Sequence, residues 1–329
     1  MMKKATFLWG LAALVLACDL HAATPSTYGV VARIDLGAAT RWDYTAIDPS
    51  HRRLYVTRGD YVEVVDLPST KVIGKIMPTA GVHGVAFDLA RGLGFTSNGK
   101  TNSVSVFDLN TLYVKAEIPL HGEKPDAMVF EVQSGKLYVF NGHSDSVDVI
   151  DSATLKPVGT IKTSADPEFA VSDGQGRIYF NLEDHPGIEV IDTATDKVVA
   201  NWPLAGCDGP TGIAMDTAHG LLFSTCQNHL VVVTDAATGK RAGQYTIGGH
   251  PDAVLFDPHT NMIVTSCGGE AGSLNFTEEV GLTKFVVRQN LATAPGARTL
   301  AMDAVDGRIF TPTVIDGHFI LVVAAPKRN

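Results

Sequence analysis

An all-β, seven-bladed propeller of four-stranded blades is the fold this chain predicts, and three observations predict it. A short apolar run ends in an acid seven times, strand-like runs and polar turns follow each acid in a fixed order, and the first such run supplies what the last repeat lacks. The acids are Asp48, Asp88, Glu131, Asp173, Asp216, Asp257 and Asp303, spaced by 40, 43, 42, 43, 41 and 46 residues. A period of that size, made of short β runs, is the signature of blades arranged around a channel.

Each repeat is phased by that acid. Strand A ends on it, as in Val85-Ala86-Phe87-Asp88, and a turn such as Ser134-Gly135 follows. Strand B is aromatic and β-branched: Leu54-Tyr55-Val56-Thr57, Leu137-Tyr138-Val139-Phe140, Leu222-Phe223-Ser224-Thr225. Strand C alternates and ends in a second acid, as in Val62 to Asp66, Val147 to Asp151 and Leu230 to Asp235. Strand D, the outer edge, starts on lysine in Lys71-Val72-Ile73-Gly74 and Lys197-Val198-Val199-Ala200. This is ordinary strand and turn chemistry.

The last repeat offers strand A (Arg298 to Asp303), strand B (Arg308 to Thr311) and strand C (His318 to Val323), and no fourth strand. Gly29 to Ile34 supplies the missing outer strand, which closes the ring and removes an unpaired edge. One domain over residues 29–325 follows. Blade six departs from the pattern: Gly268 to Gly272 and Thr277-Glu278-Glu279 predict a displaced strand C and a longer loop.

Lys3-Lys4, the apolar run Ala5 to Ala17 and Leu20-His21-Ala22 read as a secretory signal over residues 1–22. Val15-Leu16-Ala17-Cys18 offers a lipid-anchored alternative at Cys18, with the bulky Leu16 against it. Either route predicts a periplasmic or secreted protein, and the apolar run is too short for a permanent span, so the mature chain has no transmembrane segment. The chain carries a net charge of −9. That acidity disfavours nonspecific nucleic-acid binding. Beyond the signal lie Cys207, Cys226 and Cys267, which predict one disulfide and one unpaired thiol. Cys207–Cys226 is the favoured pair, because it staples a loop to its own blade. Cys226–Cys267 is the alternative, since both stand at one offset in neighbouring blades.

Tyr55-Val56-Thr57, Tyr138-Val139-Phe140-Asn141, the Ser97-Asn98-Gly99 turn and Ala297 to Asp303 resemble the YVTN-type, YncE-like family of secreted seven-bladed propellers. The resemblance spans nearly the whole mature chain. It implies the fold strongly and the function weakly: members include binding proteins, a single-stranded-DNA binder and relatives of a quinohemoprotein subunit. Arg58 stands where the first repeat would carry Asn, which alters the polar lining. No catalytic residue follows from the family.

Reading every repeat at one offset produces two rings. Five residues before the strand A acid lie Asp43, His83, Asp126, Glu168, Thr211, Asp252 and Arg298. Ten residues after it lie Arg58, Asn98, Asn141, Glu183, Cys226, Cys267 and Thr313. Both positions fall at the same face, so the two rings predict one polar funnel, flanked by Trp42, Tyr44 and Phe169. Such a funnel takes a small polar or ionic molecule, a peptide terminus or a metal ion; a hydrated channel with capped strand ends accounts for the same residues.

Carboxylate and amide oxygens converging on an axis suit calcium or another divalent metal, although Arg58 and Arg298 in the same rings oppose it. Cys267 with His83 and Asp252 has the residue types of a thiol triad, which composition alone also produces. His51, His219 and His259 fall in equivalent turns and read as solvated. Acids such as Asp48 and Asp66 read as turn caps. The leading expectation is a monomeric binding or scaffold protein whose partner is a small polar ligand or a periplasmic protein. A metal-assisted hydrolase or lactonase in the same funnel is the alternative. A third reading, a non-catalytic subunit beside a periplasmic redox enzyme, rests on superfamily analogy.

Overall fold

The computed structural model describes residues 27–327, so the signal and Cys18 lie outside the described residues. Seven four-stranded antiparallel sheets form the blades. Blade one is Thr45–Asp48, Arg53–Arg58, Tyr61–Asp66 and Lys71–Ile76; blade two is Val82–Asp88, Leu93–Asn98, Ser103–Asp108 and Val114–Pro119. Blade three is Pro125–Glu131, Lys136–Asn141, Ser146–Asp151 and Lys156–Lys162; blade four is Pro167–Ser172, Arg177–Leu182, Gly187–Asp192 and Lys197–Pro203. Blade five is Pro210–Asp216, Leu221–Cys226, Leu230–Asp235 and Arg241–Thr246; blade six is Pro251–Asp257, Met262–Cys267, Ser273–Gly281 and Lys284–Ala292. Blade seven is Ala301–Met302, Ile309–Ile315 and His318–Pro326, completed by the N-terminal strand Tyr28–Ala38, which pairs antiparallel with His318–Pro326.

Burial follows position in the blade. Strands B and C are covered on both faces by neighbouring blades, so Tyr61–Asp66 and Leu221–Cys226 are almost wholly buried, whereas the outer strand Lys197–Pro203 alternates with period two. The core therefore lies between blades. Phe95, Val104 and Val106 of blade two pack on Leu137, Val139 and Ile150 of blade three. Tyr138 and Phe140 of blade three pack on Ile178 and Phe180 of blade four. Each such side chain contributes about 1.5–3 kcal/mol through area removed from water.

The C–D pairing slips by one residue at the same place in six blades: between Val64 and Val65, Val106 and Phe107, Val149 and Ile150, Val190 and Ile191, Val233 and Thr234, and Phe276 and Thr277. A repeated bulge of this kind increases the twist of each blade toward its outer edge. The strand C acids cap the next turn: Asp151 Oδ1 accepts from Thr154 N at 2.7 Å and Asp192 Oδ1 from Thr195 N at 3.0 Å.

Two details differ from the sequence expectation. Blade six keeps its strand C, as Ser273–Gly281, and departs through a long C–D hairpin rather than a displaced strand. In blade seven, strand A is only Ala301–Met302, because the preceding residues bond to other blades. There Thr299 Oγ1 donates to Asp43 O at 2.9 Å, and Arg298 O accepts from Ala253 N at 3.3 Å. Among the described residues no helix is long and apolar enough to cross a membrane.

Candidate functional site

The first ring closes around the channel mouth as a belt of alternating charge. Arg298 Nε donates to Asp252 Oδ2 at 2.6 Å and reaches toward Asp43 Oδ1, 3.8 Å from Nη2. Asp43 Oδ2 meets His83 Nδ1 at 2.6 Å, and Asp126 Oδ1 lies 3.5 Å from the same nitrogen. In blade order the belt reads minus, plus, minus, plus, minus. Blade four then breaks it. Glu168 follows Asp126 with no cation between, and Thr211 of blade five turns away to Thr225 Oγ1 and Pro251 O.

This imbalance shows in the protonation of the belt. Burial, reinforced by Asp43, pushes the Asp126 carboxyl up to about 6. Burial outweighs the Arg298 guanidinium and pushes Asp252 up to about 7. Glu168 is raised well above the ordinary range by burial and by Asp126, Asp252 and Glu183. His83 is raised despite its own burial, because Asp43 and Asp126 together favour the imidazolium.

One oxygen stands out. Asp126 is 7% exposed, yet its Oδ1 has no hydrogen-bond partner. With only the His83 imidazole 3.5 Å away, a buried carboxylate oxygen that accepts no hydrogen bond leaves room for a further donor or cation. Tyr44 lies among the belt acids: after burial, Asp126, Glu168, Asp43 and Asp252 all raise its hydroxyl. Its ring meets Phe169 edge to face with centroids 4.3 Å apart. A cavity of about 150 Å³ lies beside them, lined by Gly84, Val85 and Met128 among others.

A larger cleft of about 640 Å³ covers the mouth over blades one to three, with His83 in its lining. Arg41, Lys100 and Lys124 give its rim positive charge. Sequence reasoning missed Arg41, Lys124 and Asp166, although they stand two residues before Asp43, Asp126 and Glu168. Gly81, Lys124, Gly209, His250 and Gly296 share that offset and a positive φ, so the position is a left-handed loop residue in five of the seven blades. Burial pushes Asp166 up to about 6 against the opposing pull of Lys124.

The second ring has a different job from the one expected. Arg58 lines the cleft at the mouth, but its guanidinium is turned into the protein. It is buried, pairs with Glu63, donates to Leu36 O at 2.7 Å and Ala38 O at 2.6 Å, and stacks 4.1 Å over Phe319. Asn98 turns into its blade toward Ser105 Oγ at 2.8 Å, and Ser105 donates to Pro78 O at 3.3 Å. Asn141 bonds Asp148 Oδ2, which also accepts from Gly122 N at 2.9 Å. Thr313 donates to Pro295 O. The common task is to hold the loop that leads into strand A of the same blade. Of this ring only Glu183 acts on the channel, by raising Glu168 and Asp166.

Strand C shares the work three residues before its acid: Glu63, Ser105, Asp148, Glu189 and Asn275 are buried polar groups that serve these loops. Blade five has Val232 there, and in that blade the loop is held by a disulfide, Cys207–Cys226, with Cα atoms 5.2 Å apart. Replacing both cysteines with serine is expected to cost about 2–4 kcal/mol, read as a lower urea midpoint. Cys267 is a free, buried thiol that burial pushes up to about 11, which makes it a poor nucleophile.

No protein-family model and no curated protein matches the chain. Solved structures do. Hydrazine synthase of Kuenenia stuttgartiensis is 16% identical, with a TM-score of 0.76 over 88% of this chain and 98% of that one. A chain of the mitotic checkpoint complex is 12% identical, with a TM-score of 0.78 over 98% of each chain. U3-55K is 10% identical, with a TM-score of 0.76 over 90% of this chain and 98% of its own. At such identities the likeness is one of fold, and the fold is the seven-bladed β-propeller.

Proposed function

We propose that this protein is a periplasmic or secreted binding propeller of the YVTN-type, YncE-like kind, and that its channel mouth captures a small zwitterion. The buried Oδ1 of Asp126, which accepts no hydrogen bond and lies 3.5 Å from His83 Nδ1, beside the cation-free Glu168, carries the reading. An ammonium group set between Asp126 and Glu168 restores the alternation of the belt, with the Tyr44 and Phe169 rings offering π faces beside it. The anionic end of the ligand then meets Arg41 and Lys124 at the rim. An amino acid or a short peptide terminus has this chemistry. The Cys207–Cys226 disulfide fits an oxidising compartment and supports a location outside the cytoplasm.

The test is calorimetry of the purified protein with glycylglycine, lysine and spermidine as probes. A dipeptide or amino acid is expected to bind, and Asp126→Asn to weaken it at least about tenfold, worth about 1.4 kcal/mol. Lys124→Ala is expected to weaken the zwitterions and leave spermidine untouched. Unchanged affinity in both variants defeats the reading.

A hydrolytic alternative has one observation in its favour. Asp43, His83 and Asp126 present donor atoms within 4.8 Å of one another, a set that can hold a divalent metal. Tight divalent-metal uptake lost in His83→Gln, with no zwitterion binding, would favour it.

A further inference from the structure

We propose that Asp216, His219 and Glu279, at the seam between blades five and six, form a binding site for a divalent transition metal of the zinc class. The site shares no residue with the channel belt.

Comparison between blades isolates what is unusual. The residue after the strand C acid donates its backbone N–H to the turn before strand B in six blades. Leu67 donates to Arg52 O, Leu109 to Gly92 O, Ser152 to Gly135 O, Thr193 to Gly176 O, Ala236 to Gly220 O and Glu279 to Asn261 O. Five of these six residues are apolar or carry a hydroxyl, as a buried position between blades requires. Blade six puts a carboxylate there, with its side chain 2% exposed.

What Glu279 faces is a second buried carboxylate. The strand A acid is buried in six blades, and in blades one, two and seven a basic side chain meets it. Arg91 lies 3.0 Å from Asp88, and Arg52 and Arg308 serve Asp303. In blade one, His51 Nδ1 meets Asp48 Oδ2 at 2.6 Å, and its other nitrogen meets the neutral Asn110 amide at 3.1 Å. Blade five repeats the Asp-x-x-His turn, with His219 Nδ1 on Asp216 Oδ2. Its neighbour, however, supplies Glu279 Oε1, 3.0 Å from that same nitrogen. The remaining oxygen, Glu279 Oε2, is buried and has no partner.

Two buried carboxylates with one imidazole are thus held together without a second cation. One doubly charged ion satisfies all three groups. Their donor atoms lie within 4.8 Å of one another, and mixed imidazole and carboxylate donors suit zinc and its neighbours. His219 is half exposed at the edge of a cavity of about 570 Å³ walled by Glu278, Val280 and Leu282, which leaves a path for the ion and an open fourth position.

The experiment is titration of chelator-treated protein with Zn²⁺ in a His83→Gln background, which disables the channel set. One equivalent is expected to bind. His219→Ala and Glu279→Gln are each expected to weaken it about a hundredfold, while His51→Ala leaves it unchanged. Co²⁺ substitution provides a second readout: visible bands of a four-coordinate ion in the background protein, absent from His219→Ala. Because Glu279→Gln relieves a like-charge contact, the metal-free variant is expected to melt no lower than its parent. No uptake at about 1 mM Zn²⁺, equal affinity in the three variants, or a clear drop in melting temperature for metal-free Glu279→Gln would overturn the site. The last result would make His219 the permanent counter-ion of both acids.

Discussion

Arg58→Ala is expected to cost about 3–5 kcal/mol of folding free energy, the largest effect of any single substitution considered above. Three losses combine. Glu63, 4% exposed, keeps its charge and loses its guanidinium. Leu36 O and Ala38 O lose donors at 2.7 and 2.6 Å, and Thr40 Oγ1 loses one at 3.0 Å. The cation over the Phe319 ring also disappears. Leu36 and Ala38 belong to Tyr28–Ala38, the strand that closes the ring, so Arg58 of blade one is the clasp on the closure.

Chemical denaturation checks the magnitude, and hydrogen exchange checks the mechanism: amides of Tyr28–Ala38 should lose protection before those of blades three and four. Adding Glu63→Leu to Arg58→Leu should recover part of the loss, since the buried charge goes, but not the part that belongs to the orphaned carbonyls. A loss below about 1 kcal/mol for Arg58→Ala, within the range of surface changes, would contradict the clasp.

Acidification from pH 8 to pH 5 is expected to stabilise this protein. The sign follows from the belt. Asp126 and Asp252 are raised to about 6 and about 7, and Glu168 is raised as well. For such acids the stability is fully present below the ordinary carboxylate pKa and is lost as pH rises through the folded values. His83, also raised, acts the same way: its contribution is present below the ordinary imidazole value and fades as pH rises. The opposite trend comes from turn-capping acids such as Asp151 and Asp235, held low first by the hydroxyls of Thr154 and Thr238. Their contribution is lost only as pH falls below the ordinary carboxylate range.

The stability maximum should therefore lie at about pH 5, with about 1–3 kcal/mol lost toward pH 8 on account of Asp126. Melting curves across that range test it. Asp126→Asn should flatten the alkaline side of the profile. A profile that keeps rising from pH 5 to pH 8 would show that the belt carboxyls ionise freely in the folded protein.

The residues of the belt were legible in the sequence because a repeat converts one offset into one height on the channel. Asp43, His83, Asp126, Glu168, Asp252 and Arg298 all came from counting back from the strand A acid. The rim cations Arg41 and Lys124 were missed at two residues further along the same count, although the recurrent glycines at that offset were a usable sign. The loop-holding role of the second ring was not legible, for a different reason. Its offset is regular, but a strand B side chain points at a face of its blade that other segments cover, and only packing shows that Arg58, Asn98 and Asn141 hold loops. Glu279 was visible only as part of an irregular stretch. Its meaning needed the register Met262 to Glu278, which shows that Glu279 occupies the position of Leu67 and Ala236.

By itself the sequence determined the number of blades, the strand order within each blade and the strand that closes the ring, because these depend on periodicity and on local propensity. Tertiary structure alone decided which charges meet. Whether a carboxylate is paired with Arg298, stranded beside Glu168 or set against Asp216 depends on contacts between blades. Those partners lie about forty residues or more apart along the chain, and ångström-scale distances between them carry the electrostatics.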